Sequence, residues 1–134
     1  MSRFFDTNIL VYAFLDVDKR SQALNVLSEG GFISAQVLNE FTNVAHKKRR
    51  RSWREIEAAL AVIRERFPVV VPITAETHAN AVALARSHSF AFYDALILAA
   101  ALEAGCDMLI TEDMQHGRVI DGLTIRNPFH ENLS

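Results

Sequence analysis

An α/β fold with a mainly parallel sheet, covered by helices on both faces, is what this sequence predicts, on three observations. Short apolar runs suited to buried strands alternate with longer runs of helical periodicity, the pattern of parallel strands joined by helical crossovers. The segment "FYDALILAAALEAG" at 92–105 is apolar all round a helix, so that helix should be enclosed rather than laid on a surface. The chain has 134 residues, half of them hydrophobic and 22 % charged, which suits one domain over 1–134 built on one core.

Each element has its own signal. "RFF" (3–5) reads as a short buried strand, followed by an apolar helix "TNILVYAFL" (7–15). "KRSQALNVLSEGG" (19–31) is a helix with Ala23, Leu24 and Leu27 inward and glycines at its end. "FIS" (32–34) is a second short strand, and Ser34 is placed to cap the helix "AQVLNEFTNVAHKK" (35–48). "WREIEAALAVIRERF" (53–67) is amphipathic and stops before Pro68; "VVV" (69–71) is a strand bounded by prolines. Thr74 caps a helix over 75–89, Gly105 closes the helix 92–105, "MLI" (108–110) is a strand, and "LTIRNPF" (123–129) holds a last edge strand.

Several function classes are disfavoured at once. Cys106 is alone, so neither an internal disulfide nor a cysteine-based zinc site is available, and the five histidines lack metal-binding spacing. Five glycines without a phosphate-cradling loop argue against a nucleotide switch. The early apolar run "ILVYAFL" is flanked by acids and too short for a signal peptide, and no run approaches the roughly 18 apolar residues of a spanning helix, so a cytoplasmic location is expected.

Four acids then stand in unexpected places. Asp6 interrupts an apolar run just after the first strand, and Asp113 follows the strand "MLI"; in a parallel sheet both fall at the same edge, where ligands of such folds gather. Asp94 is the one charge from Phe92 to Leu102. Glu40 borders the apolar face made by Val37, Leu38, Phe41, Val44 and Ala45, in a polar stripe with Gln36 and Asn43. Taken singly, Asp6 could be a helix cap, Asp94 a first-turn acid on the helix dipole, and Glu40 a solvated flank residue. Taken together, four carboxylates at one edge would repel unless a cation joined them. An all-oxygen set suits Mg²⁺ or Mn²⁺ rather than zinc.

In order, "FFDTNIL", "SAQVLNEF", "FYDALILAAA" and "ITEDMQHG" resemble the four acidic motifs of PIN-domain nucleases, most closely those of VapC-type toxins of toxin–antitoxin pairs. The resemblance spans nearly the whole chain. It implies a three-layer α/β/α fold and a Mg²⁺- or Mn²⁺-dependent endoribonuclease. The family's acids carry over to Asp6, Glu40, Asp94 and Asp113, with Asp6, Asp94 and Asp113 holding one or two metals and Glu40 acting as ligand or base. Asn8 and Thr111 match the family's supporting polar residues, and Glu112 is a second-rank candidate. The resemblance also implies an RNA substrate, a cognate antitoxin, and a homodimer or larger toxin–antitoxin complex.

Charge is unevenly spread. "HKKRRRSWR" (46–54) holds six of the fourteen Lys and Arg and no acid, leaving 8 bases against 16 acids elsewhere, a balance of −8. Lys47, Lys48, Arg49, Arg50 and Arg51 are candidate phosphate contacts. Trp53 is expected in the core, with base stacking as the alternative; Tyr12, Phe14, Phe92 and Tyr93 are expected to pack. Apolar area on 7–15 and 53–67 exceeds one inward stripe and predicts an interface, including a groove near the acids for an antitoxin helix. Two rivals remain: an aspartyl phosphatase, disfavoured because Asn8 stands where a second Asp is wanted, and a PIN-fold module that binds RNA or protein without catalysis.

Overall fold

A computed structural model describes residues 2–130. Among the described residues there are six strands, β1 (Arg3–Phe5), β2 (Ile33–Ser34), β3 (Val70–Val71), β4 (Met108–Ile110), β5 (Val119–Ile120) and β6 (Leu123–Arg126), and six α-helices, which lie between successive strands as far as β4. The helices are α1 (Thr7–Phe14), α2 (Arg20–Leu27), α3 (Ala35–Asn43), α4 (Trp53–Arg66), α5 (Ala75–His88) and α6 (Phe92–Glu103). The arrangement is the three-layer α/β/α fold with a mainly parallel central sheet.

β1 lies next to β4 in parallel register, Phe5 opposite Ile110, and β4 lies next to β6. On the other side β2 pairs with β3, and the Phe5 amide donates to the Phe32 carbonyl at 2.9 Å while the Phe32 amide donates to Arg3 at 2.8 Å. This bridge joins the two sheets and depends on Gly31, at φ +153°. A Cβ there would come within 2.6 Å of both the Arg3 carbonyl oxygen and the Phe5 ring.

Two expectations change at this level. β6 is not an edge strand: β5, which alternation failed to reveal because it is two residues long, pairs antiparallel with β6 and takes the edge. The apolar residues of α1 are not a surplus surface. Ile9, Leu10, Val11 and Leu15 are buried within the chain, where α1 packs against α2 and α3, and Tyr12 and Phe14 are half-buried. α6 is enclosed as its composition demands, with Ala95 to Ala101 all buried. Among the described residues, no helix is long and apolar enough to cross a membrane.

Candidate active site

The backbone brings the acids to one edge. Asp6 leaves β1 where its amide donates to the Ile110 carbonyl at 3.0 Å, so it sits beside the end of β4, three residues ahead of Asp113. Its side chain caps α1, accepting from the Thr7 amide at 2.7 Å, and its other oxygen accepts from the Thr111 hydroxyl at 2.8 Å. The cap explanation of Asp6 is therefore correct, and it does not exhaust the residue. Asp6 is 4 % exposed, and burial pushes its carboxyl up from 3.8 to about 7 against the Thr111 and Thr7 hydrogen bonds, with the Glu40 and Asp94 charges adding to the rise.

Thr111 is the hub. Fully buried, it donates to Asp6 and accepts from the Asn8 amide group at 3.3 Å and the Asp113 backbone amide at 3.1 Å. Asn8 also donates to the Asp113 carboxylate at 2.9 Å and accepts from the Glu112 amide at 3.2 Å. The supporting roles expected of Asn8 and Thr111 thus have a geometry: they tie the start of α1 to the loop after β4.

Glu40 reaches the same cleft from α3, held by the Thr7 hydroxyl at 2.7 Å and by Gln36 at 3.0 Å. Thr7 escaped the sequence reading, although a hydroxyl beside Asp6 in an apolar helix was a signal; Gln36 stands at the i, i+4 spacing from Glu40. Asp94 sits half-buried in the first turn of α6, with no hydrogen-bond or ion-pair partner among the described residues. Burial, then the Asp113 and Glu40 charges, raise its carboxyl above the ordinary value.

The four acids are thus electrostatic neighbours, but among the described residues no three His, Cys, Asp or Glu side chains converge as a ready set of ligands for one ion. Asp6, Glu40 and Asp113 each accept a hydrogen bond from a neighbouring side chain. The donor set still fits a hard divalent ion, being all oxygen and without a cation of its own.

The cleft has a volume of about 810 Å³ and runs from Asn8, Glu40 and Asp113 to Lys48 and Arg49. Tyr93, expected to pack, is 63 % exposed and lines it. Helix α3 passes into a π-helical segment, Val44–Lys48, that carries the first lysines. Arg49 pairs with Asp16 at 2.9 Å and Arg51 donates to the Leu15 carbonyl at 2.7 Å, so part of the basic strip fastens this hairpin to the end of α1. Trp53 is not a core residue. It is 56 % exposed and stacks on His46, because the face of α4 that packs inward is set by Ile56 and Ile63. Glu112 is bonded to Tyr12 and Lys19.

Sheet order and this acidic edge define an α/β fold with carboxylates gathered at the carboxyl ends of its strands, and its family is a known one. The model of the PIN domain matches residues 3–121, and the chain belongs to that family. The fold resembles a toxin–antitoxin complex from Klebsiella pneumoniae, with TM-score 0.72, 26 % identity, and 96 % of this chain and 98 % of that one covered. It also resembles VapBC2 from Rickettsia felis bound to a promoter DNA fragment, with TM-score 0.69, 21 % identity, and coverage of 95 % and 98 %. A third likeness is to Mycobacterium tuberculosis VapC20, a Sarcin-Ricin loop cleaving toxin, with TM-score 0.68, 22 % identity, and coverage of 81 % and 87 %. No match is found among curated proteins.

Proposed function

We propose that this PIN-domain chain is a Mg²⁺- or Mn²⁺-dependent endoribonuclease acting as the toxin of a toxin–antitoxin pair. The observation that carries the reading is Asp6: a buried carboxylate pushed to about 7, beside Glu40 and Asp94, with no basic side chain bonded to it among the described residues. Such a group is poised for an external cation. Asp6, Asp94 and Asp113 would hold the metal and Glu40 would complete the set as ligand or base. A bound divalent ion supplies Lewis-acid charge and a more acidic water.

The chain's own residues do the rest. Thr111 and Asn8 fix the Asp6 and Asp113 carboxylates relative to each other. Thr7 and Gln36 hold both Glu40 oxygens, which orients it toward the cleft. Lys47, Lys48, Arg49, Arg50 and Arg51 would attract the phosphate backbone, with Lys48 and Arg49 placed at the cleft itself. The partners that follow from this reading are RNA, a cognate antitoxin, as in the Klebsiella and Rickettsia complexes, and a second copy of the chain, in the cytoplasm.

The test is incubation of the purified protein with total cellular RNA and Mg²⁺ or Mn²⁺, followed by mapping of new RNA ends. Cleavage that stops with a chelator supports the proposal. A PIN-fold binding module without catalysis would bind RNA or protein and create no ends in either metal.

A further inference from the structure

The basic hairpin presents a ring where packing does not require one. Trp53 opens α4, with Ser52 and Glu55 forming the capping box around it, so α4 begins there without needing an indole. The indole lies on the His46 imidazole with ring centres 4.2 Å apart and planes 23° apart, and 56 % of the residue is exposed. The imidazole covers one face of the indole. Around this pair, Lys47, Lys48, Arg50 and Arg54 have no ion pair among the described residues, in contrast to Arg49 with Asp16. Lys48 and Arg49 also line the acidic cleft, so the cations run from the site toward the exposed ring.

An unpaired row of cations calls for a polyanion, and an open aromatic face among them calls for a flat, π-rich partner. A docking protein helix would want an apolar stripe, whereas Glu57 and Arg64, further along α4 on the face that carries Trp53, are exposed and charged. Single-stranded RNA satisfies both demands, since every base has a π-face and every link a phosphate. We propose that the His46–Trp53 stack is a base-stacking platform for single-stranded RNA running out of the cleft, with Lys47, Lys48, Arg50 and Arg54 along its phosphates. This rests on the ribonuclease reading and adds to it a place where substrate is gripped away from the acids.

Trp53 is the sole tryptophan of the chain, so intrinsic fluorescence reports on the platform directly. The full-length protein, in chelator to keep RNA intact, is titrated with a uridine oligomer and with an abasic oligomer of equal length, binding being followed independently by anisotropy. The uridine oligomer should quench the indole, and Trp53→Ala should weaken its binding about tenfold while leaving the salt slope unchanged. The abasic oligomer should bind wild type and Trp53→Ala alike. Trp53→Phe should restore part of the lost affinity. Saturable binding with unmoved fluorescence overturns the platform, as does equal affinity for Trp53→Ala. A dimer that Trp53→Ala dissociates would assign this face to a second copy and also overturn it. Wild type that cleaves RNA with Mg²⁺ while its fluorescence stays unmoved removes the platform alone. Wild type that neither cleaves nor binds RNA removes the ribonuclease reading and the platform together.

Discussion

A lone carboxylate, Glu112, and a group of four lie side by side at the carboxyl edge of the sheet, and among the described residues only Glu112 has an ion-pair partner. Glu112 accepts from Tyr12 and forms an ion pair with Lys19 at 2.6 Å, while the Lys19 ammonium lies over the rings of Tyr12 and Phe129. Burial opposes the Glu112 charge, but the Lys19 and Tyr12 hydrogen bonds outweigh it and hold the carboxyl below its ordinary value. One residue further on, Asp113 lines the cleft and acts electrostatically on Asp94, and Asp6 and Asp94 are both pushed upward. Lys48 and Arg49 also line the cleft, but among the described residues the ion pair to an acid of this edge is that of Lys19 with Glu112. Asp6, Glu40 and Asp113 accept from hydroxyl and amide donors, which orient carboxylates without neutralising them, and Asp94 has no hydrogen-bond partner among the described residues. That difference separates an acid used for structure from acids kept ready for an external cation.

The largest test of the contrast is RNA cleavage. Asp94→Asn should reduce the rate about 10³-fold, the equivalent of the several kcal/mol a metal contributes. Glu112→Gln should leave it within about threefold, since losing an interaction outside the reacting site has no direct term in the barrier. Circular dichroism should show both variants folded. An equal loss in the two would erase the distinction between Glu112 and the group of four.

A smaller effect, with a definite sign, concerns pH. An acid whose folded pKa is raised contributes stability that is fully present below its unfolded pKa and lost as pH climbs through the folded one. For Asp6 the window runs from 3.8 to about 7. Full ionisation would then cost the metal-free protein up to about 4 kcal/mol. Asp6→Asn keeps an acceptor for the Thr7 amide but turns a donor on Thr111, whose oxygen already accepts from Asn8 and the Asp113 amide. That sets an offset, and the slope is the readout. In chelator, the melting temperature of Asp6→Asn should gain on wild type as pH rises from about 5 to about 8. Added Mg²⁺ should restore wild type and leave the variant unmoved. A wild type that gains on the variant over the same range would mean that Asp6 already has its counter-charge.

How much of this was legible depended on whether the signal was local. Helix starts were readable because a cap acts over three residues: Ser34 and Thr74 accept from Val37 and Thr77, as their positions imply. The shared edge of Asp6 and Asp113 followed from strand order alone. Strand β5 was not legible, because two residues carry no periodicity, and its partner β6 was consequently misplaced at the edge. The burial of α1 was not legible, because a helix that packs against two other helices needs apolar residues on more than one face, and its partners α2 and α3 leave no trace within α1 itself. Trp53 was misjudged by residue type: indole favours the core on average, but Ile56 and Ile63 decide which face of α4 turns inward. The Lys19–Glu112 pair spans 93 positions and had no local trace.

The smallest effect sharpens the comparison most, because its pH dependence runs the other way. Lys19→Met keeps an unbranched apolar chain over Tyr12 and Phe129 while removing the charge from Glu112. The pair is partly exposed, at 38 % and 24 %, so screening limits its worth. About 0.5–1 kcal/mol is expected, a shift of a few degrees in melting temperature. A depressed carboxyl contributes stability present above its unfolded pKa and lost as pH falls through the folded one. The difference between wild type and Lys19→Met should therefore be full near neutral pH and vanish once Glu112 is protonated, below its ordinary 4.5. It should also shrink in high salt. Asp6 and Glu112 would then give opposite pH slopes from one edge of one sheet, one acid lacking a cation and the other holding it. A Lys19→Met penalty that persists unchanged in acid would show that Lys19 acts through the Tyr12 and Phe129 rings and not through the carboxylate.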